Sequence, residues 1–164
     1  MLAVVLGTRP EIIKLSPLIR QLESCKVPFT LIHTNQHYSP EMDAVFFEQL
    51  RLPAPEFNLG ANGGTASIQT ARMLEAVAHI LSRLQPDAVI VQGDTNSVLA
   101  AALAAAKAGI PVAHVEAGLR SHDYRMPEEY NRILTDHLSE YLFPPTHDAE
   151  ANLKHEGIGS REVL

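Results

Sequence analysis

Four short polar segments hold the residue types that acid–base and anion chemistry would need. They are Gly7-Thr8-Arg9-Pro10-Glu11, residues 33–38, Gly93-Asp94-Thr95-Asn96-Ser97 and Glu116-Ala117-Gly118-Leu119-Arg120-Ser121. Each directly follows a short apolar run, and in an open α/β sheet that is where ligands bind. In the first, glycine lets backbone approach a ligand and a helix start favours an anion, with Arg9 and Lys14 close by. A tight turn carrying two surface cations would read the same way. Neither the glycine fingerprint of dinucleotide sites nor a P-loop lysine motif is present. Asp94 is either a helix cap or, if Thr95 caps instead, a free carboxylate. Glu116 follows a buried strand and precedes Ala117-Gly118, so it should be partly desolvated, as proton transfer prefers. Arg120 could instead pair with it structurally. Met126-Pro127-Glu128-Glu129-Tyr130-Asn131-Arg132 sets two carboxylates in a helix's first turn. That placement suits the helix dipole, and Arg132 lies four residues after Glu128, at ion-pair spacing.

The eight histidines do not assemble a metal set. His33 and His37 are four apart but straddle a strand end. His114 falls within a buried strand and reads as a satisfied core residue. His79 sits in a long helix, and His122, His137, His147 and His155 lack consistent partners. The single Cys25 excludes an internal disulfide and any multi-cysteine zinc site. No metal and no cofactor are expected.

The elements that must position these residues alternate strand and helix. Strands are expected at 2–6, 29–32, 87–92, 111–115 and 141–143. Helices are expected at 10–22, 40–50, 66–84, 95–108, 128–139 and 148–155. Pro17 should bend the first helix or end it early. Residues 52–65 read as a long loop. The strands are near-continuously apolar, which marks an α/β fold: a Rossmann-like parallel sheet with helices on both faces. The 164 residues suit a single domain, and 46% apolar content suffices for a core. The chain stops as residues 161–164 begin another strand, as half of a larger unit would. Thirteen basic against nineteen acidic residues, 5% aromatics and no Trp argue against a nucleic-acid partner. The apolar start has no preceding basic region and reads as a strand rather than a secretion signal. No apolar run reaches the ~20 residues of a membrane helix.

Together, the segments at 7–14, 92–97, 114–121 and 126–132 resemble the UDP-N-acetylglucosamine 2-epimerase family, in order and spacing. Gln36-His37-Tyr38 also fits. The resemblance covers essentially the whole chain. It implies a two-domain, GT-B-type architecture of which residues 1–164 form the N-terminal Rossmann-like domain, the C-terminal domain being absent. In the family that missing half holds most of the uridine and diphosphate site and a catalytic histidine. The implied reaction interconverts UDP-GlcNAc and UDP-ManNAc by elimination and re-addition of UDP, in the cytoplasm and without a cofactor. Asp94, Glu116 and Glu128 would be the acid–base set. Arg9 and Lys14 would serve the diphosphate, Asn131 and Arg132 the sugar. Gln36, His37 and Arg120 complete the implied substrate contacts. A homodimer is implied for the full-length protein, and inactivity for the isolated chain. Tyr38 stands where some bacterial members have an arginine that binds a second UDP-GlcNAc as activator. The shorter loop at 121–126 resembles archaeal-type members and epimerases of UDP-2,3-diacetamido-glucuronate. A non-catalytic sugar-nucleotide-binding module, half of a glycosyltransferase and a hydrolysing relative are the competing readings.

Overall fold

The computed structural model describes residues 1–35, 40–61, 63–158 and 162–163. Seven strands form one sheet: β1 (Leu2–Leu6), β2 (Phe29–His33), β3 (Phe57–Asn58), β4 (Ala88–Gln92), β5 (Val112–Val115), β6 (Tyr141–Phe143) and β7 (Glu162–Val163). Their order is β3-β2-β1-β4-β5-β6-β7, and every pairing is parallel. The helices are α1 (Arg9–Ser24), α2 (Pro40–Gln49), α3 (Ala66–Leu84), α4 (Asn96–Lys107), α5 (Pro127–Leu138) and α6 (His147–His155).

Two-sided burial explains the apolar strands. Ala3 and Val5 of β1 join Val89 and Val91 of β4 on one face, under Val77 and Leu81 of α3 and the alanines of α4. Val4 and Leu6 join Leu31 and Ile90 on the other face, under Ile12, Leu15 and Ile19 of α1. Alternate residues go to opposite faces, so β1 and β4, covered on both sides, carry no polar side chain before Gln92 at the end of β4. A smaller cluster of Ala117, Leu142, Leu153 and Ile158 docks α6 against β6.

Three details depart from the sequence reading. Pro17 does not end α1, which continues to Ser24. Pro17 is exposed, opposite the buried Ile12, Leu15 and Ile19, so the carbonyl it leaves unpaired faces water. The 52–65 loop contains β3, which pairs Ile32 with Phe57 and His33 with Asn58. Two residues are too few to show a period. β2 also extends one residue further than expected, through His33. The strand begun at the chain's end pairs with β6 through Tyr141–Glu162 and Leu142–Val163.

Candidate active site

β1 and β4 are neighbours, but from β1 the connections run one way across the sheet and from β4 the other. The strand order reverses there, and a crevice opens beyond the carboxyl ends of the two strands. Two adjoining hollows occupy it, sharing Thr8, Pro10, Asp94 and Thr95. One, about 340 Å³, adds Glu11, Lys14, Gln92, Glu116 and Arg132. The other, about 360 Å³, adds Ala66, Asn96, Glu128 and Asn131.

Gly7 has no room for a side chain, because a Cβ there would run into Thr34 and Ser97. Its absence lets α4 start close against the β1 turn. Thr95 caps α4, its hydroxyl accepting from the Val98 N–H at 3.4 Å. Asp94 is thereby freed from capping, and its carboxylate accepts from Arg132 at 2.5 Å. Arg132 also donates to Glu129 at 2.7 Å. The i,i+4 pair of Arg132 with Glu128 is therefore not made. The Asn131 amide is buried and donates to the Asp94 carbonyl at 2.8 Å and to Asn96 Oδ1 at 3.2 Å.

The two carboxylates opening α5 take opposite positions. Glu129 is 1% exposed and accepts from the backbone N–H groups of Ser121 and His122 and from the Ser121 hydroxyl. Burial alone would raise its pKa, but those donors and the Arg132 guanidinium hold it down at about 2. Its role is to fasten the 121–122 turn to α5. Glu128 is exposed and lines the cleft.

Glu116 sits at the end of β5 with φ +67, the left-handed region that non-glycine residues rarely adopt. Its carboxylate, 26% exposed, accepts from Lys14 Nζ at 2.9 Å and from Gln92 Nε2 at 2.5 Å. Lys14, not Arg120, is thus its cationic partner. The Arg120 side chain is 1% exposed and lies against Asp136 at 2.8 Å and Glu156 at 2.6 Å, so it faces away from the cleft. Arg9 is exposed at the first residue of α1. Gln36, His37 and Tyr38 lie outside the described residues.

His114 is buried with both ring nitrogens partnered, by Asp136 Oδ1 at 2.6 Å and the Gly93 carbonyl at 2.8 Å. The carbonyl can only accept, so the Nε2 facing it carries a proton. His114 therefore braces the turn that presents Asp94. Among the described residues no group of three His, Cys, Asp or Glu side chains gathers as a metal ion would need. No helix among them is long and apolar enough to cross a membrane.

Two residues of this site fall within the sequence motifs but had no role assigned to them. Glu11 is 2% exposed and accepts from the Thr8 N–H at 2.9 Å, from the Gly7 N–H and from the Thr95 hydroxyl at 2.5 Å. It ties the turn after β1 to the turn after β4, and its burial raises its pKa to about 7 despite those donors. The Thr8-x-x-Glu11 spacing of a capping box was its available signal. The other is Gln92, the one polar residue of β4, whose signal was its place at the carboxyl end of an apolar run.

The sequence model of the UDP-N-acetylglucosamine 2-epimerase family matches residues 20–164. The UDP-N-acetylglucosamine 2-epimerase of Methanocaldococcus jannaschii is 57% identical over 99% of this chain and 44% of its own length. The UDP-2,3-diacetamido-2,3-dideoxy-D-glucuronate 2-epimerase of Pseudomonas aeruginosa is 47% identical over 94% of this chain and 44% of its own. The crystal structure of the M. jannaschii enzyme in complex with UDP-GlcNAc and UDP superposes with a TM-score of 0.95, over 99% of this chain and 45% of that one. The Neisseria meningitidis enzyme bound to UDP-GlcNAc, at 34% identity, gives 0.92 over 99% and 45%. The chain thus spans under half the length of these relatives, as one half of the expected two-domain architecture would.

Proposed function

The chain belongs to the UDP-N-acetylglucosamine 2-epimerase family, and on that premise we propose that it supplies the acid–base half of an enzyme interconverting UDP-GlcNAc and UDP-ManNAc. In this reading residues 1–164 are the N-terminal domain, and a second domain completes the cleft. The observation that carries the proposal is convergence. Asp94, Glu116 and Glu128, from three separate segments, line two adjoining hollows at the point where strand order reverses, with Lys14 and Arg132 beside them.

The chemistry requires such a set. The C2 proton is not next to a carbonyl, so its direct removal is very unfavourable. Departure of UDP makes it possible: a carboxylate takes the C2 proton, the C1–O bond breaks, and its electrons leave on the diphosphate. The glycal so formed has a C1–C2 double bond. UDP oxygen then re-adds to C1 while an acid delivers a proton to the opposite face of C2. Acid–base groups on both sides of the sugar and cations at the departing diphosphate are needed. Asp94, Glu116 and Glu128 fill the first need. Lys14 and Arg9 serve the diphosphate, and Asn131 and Arg132 the sugar; Arg132 also holds Asp94 in place. The reaction uses no cofactor, is placed in the cytoplasm to supply cell-surface polysaccharide synthesis, and runs in a homodimer.

The 47% identity to the P. aeruginosa enzyme supports a second reading, in which the substrate is UDP-2,3-diacetamido-glucuronate. A purely binding module would have no need of three cleft carboxylates. The test joins this chain to the remainder of the M. jannaschii relative and supplies each UDP-sugar in deuterated water. Conversion of UDP-GlcNAc to UDP-ManNAc with deuterium at C2 is the expected result. Turnover with the C2 proton retained, or release of free N-acetylmannosamine and UDP, would overturn it. Faster turnover of the glucuronate moves the assignment to the second reading.

A further inference from the structure

Resting on the epimerase reading, we infer that Gln92 is a positioning residue for Glu116, fixing one carboxylate oxygen so that the other is left to exchange a proton with the sugar. Both donors to Glu116, Gln92 Nε2 and Lys14 Nζ, converge on Oε2. Among the described residues no protein group bonds Oε1. The carboxylate is therefore held by one atom and open at the other, as a proton-transfer group should be.

The two donors differ in kind. Lys14 stands on the outer face of α1 with its side chain 51% exposed, on four rotatable bonds. Gln92 is 2% exposed and locked in β4, where it stands in register with Val115, the residue before Glu116. The sheet thus sets donor and acceptor from adjacent strands. The amide has one workable orientation, since reversing it would set a carbonyl oxygen against the carboxylate. The backbone of Glu116 works toward the same end. Its left-handed φ of +67 turns the side chain off the line of β5, and its N–H is fixed by the Phe143 carbonyl at 3.1 Å. Strain of this kind persists where the surroundings over-determine it, and it clusters at functional positions.

Stability does not account for Gln92. Its Oε1 is buried and has no hydrogen-bond partner among the described residues. An unsatisfied buried acceptor carries a desolvation penalty that an apolar side chain of similar length would avoid. The rest of β4 is apolar, so the core would accept such a replacement. A polar residue that weakens the fold while gripping a cleft carboxylate is better explained by what that carboxylate does.

The test measures Gln92→Met and Gln92→Leu in the joined protein described above, beside the parent. Methionine keeps the length of the chain and removes the donor. The expected result is a kcat lower by about 10- to 100-fold, as sub-ångström misplacement of a reacting group produces. KM should stay within about threefold, because uniform substrate binding is untouched. The melting temperature should be equal or higher. Unchanged kcat in both variants, a fall in kcat matched by a rise in KM, or loss of folding in both would overturn the inference. A parent that turns over neither UDP-sugar would overturn the epimerase reading and this inference with it. An active parent with fully active variants overturns this inference alone.

Discussion

Two buried glutamates near the cleft titrate in opposite directions, and each has a consequence for stability. Burial raises the pKa of Glu11 from 4.5 to about 7. Between those values the folded chain keeps a proton that the unfolded chain has released, so stability falls as pH rises. The loss is on the order of 3 kcal/mol by pH 8. Glu11→Gln holds the site in its neutral form, since an amide can still accept from Gly7 and Thr8 and can donate to Thr95. Its urea midpoint should be nearly flat from pH 5 to 8 where the parent's declines, leaving the variant the more stable at pH 8. Parallel curves would show that the buried carboxylate carries no such penalty. Glu129 is the reverse case, lowered from 4.5 to about 2. Its contribution is fully present above pH 4.5 and is lost as pH falls toward 2. Glu129→Gln should therefore be destabilised by up to about 3 kcal/mol at pH 7 and match the parent near pH 2. The motif Glu128-Glu129 showed two carboxylates at a helix start. It could not show which one turns inward, because the donors that hold Glu129 come from the 121–122 turn, whose path is set by tertiary packing. Arg120 misleads for the same reason: its partners, Asp136 and Glu156, lie 16 and 36 positions away in sequence.

At the scale of elements, Gly118 controls how α6 meets the sheet. Its φ is +78, and a Cβ there would run into the backbone carbonyl of Ala149 in α6. The carbonyl cannot rotate aside as a side chain would. Gly118→Ala is expected to destabilise by roughly 1–3 kcal/mol through strain and a displaced helix. Differential scanning calorimetry of the chain checks it, and an unchanged melting temperature would mean that α6 yields freely. The larger elements were legible in the sequence because their signals are local and long. Strands buried on both faces read as unbroken apolar runs, and α3 shows its period across Met73, Val77, Ile80 and Leu81. β3 was not legible: two residues carry no period, and it exists because Glu56 and Leu59 donate their N–H groups to carbonyls of β2. Pro17 was read as bending the helix or ending it early because sequence shows the lost hydrogen bond and not the face that loses it. Three of the four polar turns, those after β1, β4 and β5, were legible as lining one cleft for a reason of topology, since parallel strands put their carboxyl ends on one rim.

The molecule as a whole carries a net charge of −6, and the cleft shares that sign. Glu11, Asp94, Glu116, Glu128 and Glu129 stand in or beside it, against Arg9, Lys14 and Arg132. Of those cations, Lys14 is engaged by Glu116 and Arg132 by both Asp94 and Glu129. A sugar nucleotide brings a diphosphate with two further negative charges. On the proposed reading, this chain supplies the groups that move protons, and among the described residues it has too few free cations to hold the leaving group. In that reading charge complementarity comes from the other side of the cleft, where the resemblance puts the second domain. The consequence is measurable by titration calorimetry with UDP-GlcNAc. The isolated chain should bind at least about 100-fold more weakly than the protein joined to a second domain, a difference of about 2.7 kcal/mol. It should also exchange no C2 proton in deuterated water. Lowering the pH from 8 to 6 should strengthen the weak binding slightly, as Glu11 takes up its proton and the cleft loses one negative charge. Affinity equal to that of the joined protein would mean that this half alone satisfies the diphosphate, and would favour a binding module over an enzyme half.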